Sequence, residues 1–154
     1  MKFPLLILAA AALGAGAVFY LPFEANTASA QQREVALTRS GDGHFYADAK
    51  VNGVSVRFLV DTGASQTGLS TADAKRAGIT VDPDEFELIG EGVSGVVRGK
   101  MVELATLDVQ GFAVTDVKAA VVQGAQTSLL GQPFLETIDE IVIRKDEMLL
   151  RAKS

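Results

Sequence analysis

An apolar run, Phe58-Leu59-Val60, ends without transition in Asp61-Thr62-Gly63-Ala64-Ser65. A carboxylate directly after a buried-strand pattern is costly to desolvate, so the position either carries a chemical task or opens a turn onto water. The strand that delivers it is well specified. Phe45, Ala47, Ala49 and Val51 recur with the two-residue period of a half-buried strand. Asn52-Gly53 is the strongest short hairpin signal, and the return strand Val54–Val60 leads straight into Asp61. These residues predict a β-hairpin with Asp61 at its exit. In the turn beyond, the Thr62 hydroxyl can anchor the backbone. Gly63 is expected to adopt angles closed to other residues and to let a neighbouring chain come close.

A second apolar element, Ser128-Leu129-Leu130-Gly131-Gln132-Pro133-Phe134-Leu135, reads as a strand that stops at glycine and turns into a short helix. Between the two, Ser70-Thr71-Ala72-Asp73 resembles a helix-capping box with Asp in place of Glu, and the helix is expected to end at Gly78. Asp82-Pro83-Asp84 reads as a loop. Residues 96–109 and 112–122 read as strands joined at Gln110-Gly111, and 141–144 with 148–151 as a last hairpin. Many short strands with one or two short helices predict a mainly β, barrel-like domain.

Composition removes most other chemistries. The chain has 154 residues, no cysteine and one histidine, His44. Thiolate catalysis, disulfide scaffolds and zinc sites built on several histidines are therefore excluded. A net charge of −5 with both signs interspersed offers no basic stripe for nucleic acid. The stretch Gly90-Glu91-Gly92-Val93-Ser94-Gly95 matches a dinucleotide fingerprint formally, but a β-branched run follows where a helix is required. Met101 stands where a phosphate loop at Gly99-Lys100 would need Ser or Thr. His44 reads as a surface residue after the Gly41-Asp42-Gly43 turn, and no nucleophile elbow accompanies it. Carboxylates remain as the available chemistry.

Residues 1–30 are different material. No charge occurs between Phe3 and Phe23, Lys2 precedes the run, and Ala28-Ser29-Ala30 offers an Ala-x-Ala cleavage pattern. The segment is expected to be an apolar helix, either a cleaved signal peptide or an uncleaved anchor long enough for a bilayer. Either way the rest is expected to be exported: held at the inner membrane facing the periplasm, or released after Ala30. Residues 31–40 read as a linker and 41–151 as the folded domain.

Asp61-Thr62-Gly63-Ala64 and Leu129-Leu130-Gly131 together resemble the two signatures of the single-domain, retropepsin-like (clan AA) aspartic proteases, and most of all bacterial membrane-anchored members. The resemblance covers about residues 40–151 and implies a retropepsin-like closed β-barrel, one lobe per chain. It implies Asp61 as the catalytic residue, with Thr62, Gly63, Ala64, Leu130 and Gly131 supporting its loop. It implies a substrate-covering flap at Gly92, Val93, Ser94 and Gly95, and no metal or cofactor. Hydrolysis by carboxylates needs two of them, one ionised and one protonated, about 3 Å apart. The chain supplies one such aspartate, so a homodimer acting on a peptide or protein substrate is expected. Its dimer contact is expected at the C-terminal strand, 148–151. The alternative is a non-catalytic peptide-binding or dimerisation module on the same fold.

Overall fold

The computed structural model describes residues 33–92 and 95–152. The apolar segment expected at 1–30, and Val93 and Ser94 of the expected flap, lie outside the described residues. Among the described residues no helix is long and apolar enough to cross a membrane.

The hairpin predicted from the alternating pattern is present. Strands β2 (Tyr46–Val51) and β3 (Val54–Val60) pair antiparallel, with Ala47 opposite Phe58 and Ala49 opposite Val56. Asn52 and Gly53 both take positive φ, +50° and +83°, the geometry whose twist suits a two-residue hairpin. Gln110 and Gly111 repeat it at +50° and +99°, joining the long strands β6 (Gly95–Val109) and β7 (Phe112–Val122). β4 (Thr67–Ser70) and β8 (Ser128–Leu130) complete the set.

The order β2-β3-β8-β4-β7-β6 closes into a barrel because β2 also pairs with β6, Lys50 with Asp108 and Val51 with Leu107. Inward positions are apolar and tightly buried: Val51, Phe58, Leu69, Leu104, Leu107, Val121 and Leu130 expose nothing. Phe134, from the short helix α2 (Gln132–Leu135), is buried with them in the same core. Removing such side chains from water is worth about 1.5–3 kcal/mol each. Among the described residues β5 (Glu87–Gly92) pairs only with β6 and so stands off the barrel as a hairpin arm.

Helix α1 (Thr71–Arg76) starts where its cap predicts. Ser70 Oγ accepts from Asp73 N, and Gly78 follows the helix with φ +79°. The reciprocal half of the expected capping box is absent, because Asp73 turns its carboxylate to Ser128 and Ser70 N donates to Ser128 Oγ. Asp82-Pro83-Asp84 is more than a loop. Asp82 and Glu85 form a complete capping box around a single turn of 3-10 helix, Pro83–Glu85.

Two expectations are corrected at the chain ends. Residues 31–40, read as a linker, carry β1 (Glu34–Thr38), whose Val35 and Leu37 join the core. The C-terminal strand β10 (Glu147–Arg151), expected to face a second copy, is instead the middle strand of a sheet β1-β10-β9 with β9 (Glu140–Ile143). Glu34 pairs with Arg151 on one side and Ile143 with Met148 on the other, so both edges of β10 are satisfied within the chain. Arg151 ties the sheet's end by ion pairs to Glu34 (2.5 Å) and Glu140 (3.0 Å).

Candidate active site

β3 and β8 lie side by side and parallel, with Leu59 opposite Leu129 and Val60 opposite Leu130. Two parallel strands that stop at one level deliver the residues after them to one end of the barrel. Those residues are Asp61 and Gly131, which the sequence places far apart.

The Asp61 loop is held mostly by backbone. Asp61 N donates to Leu130 O (3.1 Å) and Ala64 N donates to Asp61 O (3.2 Å). Gly63 N donates to Asp61 Oδ1 at 2.9 Å, which fixes one carboxylate oxygen. Gln132 pins the loop twice, through N to Ala64 O (2.9 Å) and through Nε2 to Thr62 O (2.6 Å). Asp61 is half-buried, while Thr62 and Gly63 are exposed.

The glycines act for reasons the sequence did not reveal. Gly63 is not in the left-handed region, contrary to expectation. Its missing side chain matters because a Cβ there would come within 3.3 Å of Asp61 Oδ1. Gly131 is forced by crossing: a Cβ would meet Gln66 O at 2.2 Å, Gln66 C at 2.7 Å and Ala64 O at 2.8 Å. Leu130 is wholly buried beneath the loop. Among the described residues the Thr62 hydroxyl makes no hydrogen bond; its carbonyl does the anchoring.

Asp61 opens onto a cleft of about 580 Å³ between the barrel and the β5–β6 arm, lined by Ala64, Gly68, Ile89, Val97, Val122 and Leu129 among others. A larger, shallower depression of about 770 Å³ lies behind the loop, between Gln66, Val117 and Pro133, and does not include Asp61. Gly92 pairs with Gly95 at the last described rung of the arm, and Gly95 has φ +103°. A register shift between Leu88 and Gly90 leaves Ile89 outside the ladder. Its side chain lies over Gly99, where a Cβ would sit 2.5 Å from Ile89 Cδ1. Bulge and bare glycine together seat Ile89 in the cleft wall.

Beneath the loop, a polar chain joins β4, β8 and α1. Ser128 Oγ donates to Asp73 Oδ2 (2.6 Å), and Arg76 Nη2 lies 2.5 Å from Asp73 Oδ1. Burial raises the Asp73 carboxyl, but hydrogen bonds from the Ser128 and Ser70 positions and the Arg76 charge outweigh it, and the net shift is below 3.8. His44 is exposed and part of a surface turn; its N–H donates to Asp42 Oδ1 (3.0 Å), whose other oxygen accepts from Tyr46 Oη (2.7 Å). Strand β6 follows Gly95, so the glycine-rich stretch has no helix to offer a nucleotide. Sequence reading missed Gln132, Ile89, Gly68 and Gly99; only Gln132, directly after Leu130-Gly131, carried a local signal.

A six-stranded barrel with Asp-Thr-Gly at a strand exit, a glycine crossing behind it and a hairpin arm over the cleft defines one lobe of a retropepsin-like aspartic protease. The chain belongs to the family described as gag-polyprotein putative aspartyl protease, whose model matches residues 47–137. It is 34% identical over 123 residues to the uncharacterized protein RP867 of Rickettsia prowazekii (strain Madrid E), 79% of this chain and 53% of that protein. It is 32% identical over 127 residues to a Sinorhizobium protein encoded in the cobV 5′ region, 81% of this chain and 54% of that one. The chain thus spans about half the length of these curated relatives. Among solved structures it is similar to a retropepsin-like aspartic protease from Rickettsia conorii, at 30% identity and a TM-score of 0.66 over 79% of this chain and 92% of that one. The EIAV protease shares the fold at 20% identity and a TM-score of 0.52, over 65% of this chain and 92% of that one.

Proposed function

We propose that the chain is an aspartic endopeptidase whose catalytic dyad is two Asp61 carboxylates, one from each protomer of a homodimer. The observation that carries this reading is the placement of Asp61: a half-buried carboxylate, one oxygen fixed by Gly63 N–H, at the mouth of a mostly apolar cleft that Ser65, Gln66 and Glu91 also line. A carboxylate with no task would be costly there.

The chemistry follows from sharing a proton. The ionised member of the dyad takes a proton from water as the water oxygen attacks the scissile carbonyl carbon. The protonated member hydrogen-bonds the carbonyl oxygen and gives up its proton as the tetrahedral diol forms. Collapse breaks the C–N bond, with a proton passing to the leaving nitrogen. The two titrations belong to the pair and not to either residue. Thr62, Gly63 and Ala64 brace the loop, Leu130 and Gly131 support it from behind, and the β5–β6 arm covers the substrate. The reading needs no cofactor. Residues 1–30 would export the domain and hold it at the membrane unless cleaved near Ala30.

The test uses the full-length chain in detergent, as wild type and Asp61→Asn, on a mixed peptide library from pH 4 to 7. Cleavage that disappears in Asp61→Asn and is blocked by a statine-type inhibitor supports the reading. Cleavage that survives Asp61→Asn removes it.

A further inference from the structure

Gln132 stands at the first position of α2, between Gly131, which has no side chain to cap the helix, and Pro133, which has no N–H. Its own backbone N–H, which a helix leaves unpaired at that position, goes to Ala64 O at 2.9 Å. Its half-buried side chain reaches the same loop, where Nε2 donates to Thr62 O at 2.6 Å. Among the described residues no other side chain outside the loop bonds to residues 61–65. The carbonyl it takes is a particular one. Thr62 C=O belongs to the same peptide unit as Gly63 N–H, and that N–H makes the fixed bond to Asp61 Oδ1 at 2.9 Å. The Gln132 amide, the Thr62–Gly63 peptide and the Asp61 carboxylate thus form one chain of hydrogen bonds, all running the same way. Bonds in such a chain polarise one another and strengthen by about 10–30% each. The peptide is also planar and stiff, so holding its oxygen aims its N–H.

We propose that Gln132 is a positioning residue for Asp61: its side-chain amide, acting through the Thr62–Gly63 peptide, aims and strengthens the hydrogen bond that the ionised carboxylate accepts. This rests on the protease reading above and adds a residue to its machinery. Gln132 does not line the cleft, so it acts on the carboxylate and not on the substrate. The charged groups around the two hollows beside the loop are Glu91 on the arm, Asp116 and Lys118 on β7, and Glu136 at the end of α2. Among the described residues none of them bonds to Asp61 or Gln132. β4, β8 and α2 themselves carry no titratable side chain, and Arg57 on β3 lies over the Tyr46 ring. A hydrogen bond donated to an ionised carboxylate keeps that form present at lower pH. Losing the Gln132 amide should therefore weaken the ionised member of the dyad and move the acid limb of the pH–rate profile to higher pH.

The experiment uses the full-length chain in detergent as wild type, Gln132→Met and Gln132→Lys. Methionine keeps the length and loses the donor, and lysine returns a donor on a similar stem. Peptide cleavage across the pH range gives kcat and KM, melting is recorded, and NMR of the isotope-labelled chain follows the Gly63 amide proton. In Gln132→Met, kcat should fall about fivefold at unchanged KM. The acid limb should rise by about 0.3 pH unit, and the Gly63 proton should move upfield as its bond to the carboxylate weakens. Gln132→Lys should return kcat towards wild type and bring the limb back to the wild-type position or below it. Wild-type kcat and a coincident acid limb in Gln132→Met overturn the proposal and leave the protease reading standing. A loss of kcat that only tracks melting, with the limb unmoved and no rescue by lysine, overturns it equally. If no protein cleaves, the protease reading falls and the Gly63 proton decides alone. Its upfield move in Gln132→Met then supports Gln132 as the group that aims the Asp61 bond, and an unmoved resonance removes that as well.

Discussion

Gly131→Ala is the sharpest test of how the Asp61 loop is held. An alanine Cβ would lie 2.2 Å from Gln66 O, 2.7 Å from Gln66 C and 2.8 Å from Ala64 O, all backbone atoms with no rotamer to yield. Reaching ordinary contact from 2.2 Å requires a retreat of about 1.2 Å by the loop or by β8. Overpacking of this kind costs about 1–3 kcal/mol. The bonds from Gln132 N to Ala64 O (2.9 Å) and from Asp61 N to Leu130 O (3.1 Å) stretch with it, each worth about 1 kcal/mol. Together the expected destabilisation is about 2–4 kcal/mol. Activity should fall further than unfolding explains, by about 100-fold, because a shift of about 1 Å misplaces the carboxylate. Urea unfolding at pH 7 supplies the stability and peptide cleavage the rate. Gly41→Ala is the control, since nothing lies within 4 Å of a Cβ there and its φ is ordinary; it should stay within about 0.5 kcal/mol of wild type. A Gly131→Ala protein that unfolds at wild-type urea with wild-type rate would refute the crossing argument.

Other substitutions probe separate parts of the site. Ser128→Ala removes the hydroxyl that serves both Asp73 and Ser70 N, and should cost about 1.5–3 kcal/mol at pH 7 by urea unfolding. The Asp73 carboxyl is depressed in the folded chain, so its contribution is complete above its ordinary 3.8 and fades as pH falls below it. An Asp73→Asn protein should therefore lose that part of the wild-type acid sensitivity below about pH 4; an unchanged slope would contradict the assignment. Thr67 Oγ1 is fully buried without a hydrogen-bond partner among the described residues, so Thr67→Val should hold or raise the melting point, with a gain of about 1 kcal/mol. Ala64→Ser adds a hydroxyl able to bond the carboxylate form, and the acid limb of the pH–rate profile should move to lower pH; coincident profiles would show that residue 64 does not tune the dyad.

What the sequence made legible was local. The alternation through Phe45 to Val51, the Asn52-Gly53 turn and the abrupt Asp61 all act within a few residues, and the hairpin and its exit follow from them. β1 was legible too, since Val35 and Leu37 alternate with Glu34, Ala36 and Thr38, yet the polar residues before it suggest a linker. What was not legible depends on crossings between distant segments. Gly63, Gly68, Gly99 and Gly131 look alike in the sequence. One admits a carboxylate oxygen, one lines the cleft, one seats Ile89 and one clears a backbone crossing. The role of β10 was hidden for the same reason, because its pairing with Glu34–Thr38 is set by the closed fold and not by its own residues.

The proposed pair of Asp61 carboxylates needs two chains, and mixing two kinds of chain tests it. Asp61 accepts one fixed hydrogen bond, from Gly63, and one carboxyl cannot both take the water's proton and donate to the carbonyl. A protomer paired with Asp61→Asn holds one carboxylate and one amide, which cannot share a proton, so the mixed dimer should be inactive. Random reassociation at equal amounts then leaves about a quarter of the dimers with two Asp61 residues, and activity per wild-type chain should fall to about half. Tenfold excess of Asp61→Asn should suppress it about tenfold, and dilution of wild type alone should lower its specific activity as dimers dissociate. A monomeric catalyst would ignore the added chain at every ratio. Activity that stays proportional to wild-type concentration, with subunit exchange confirmed by mass, would refute the two-chain site even if Asp61 proved essential.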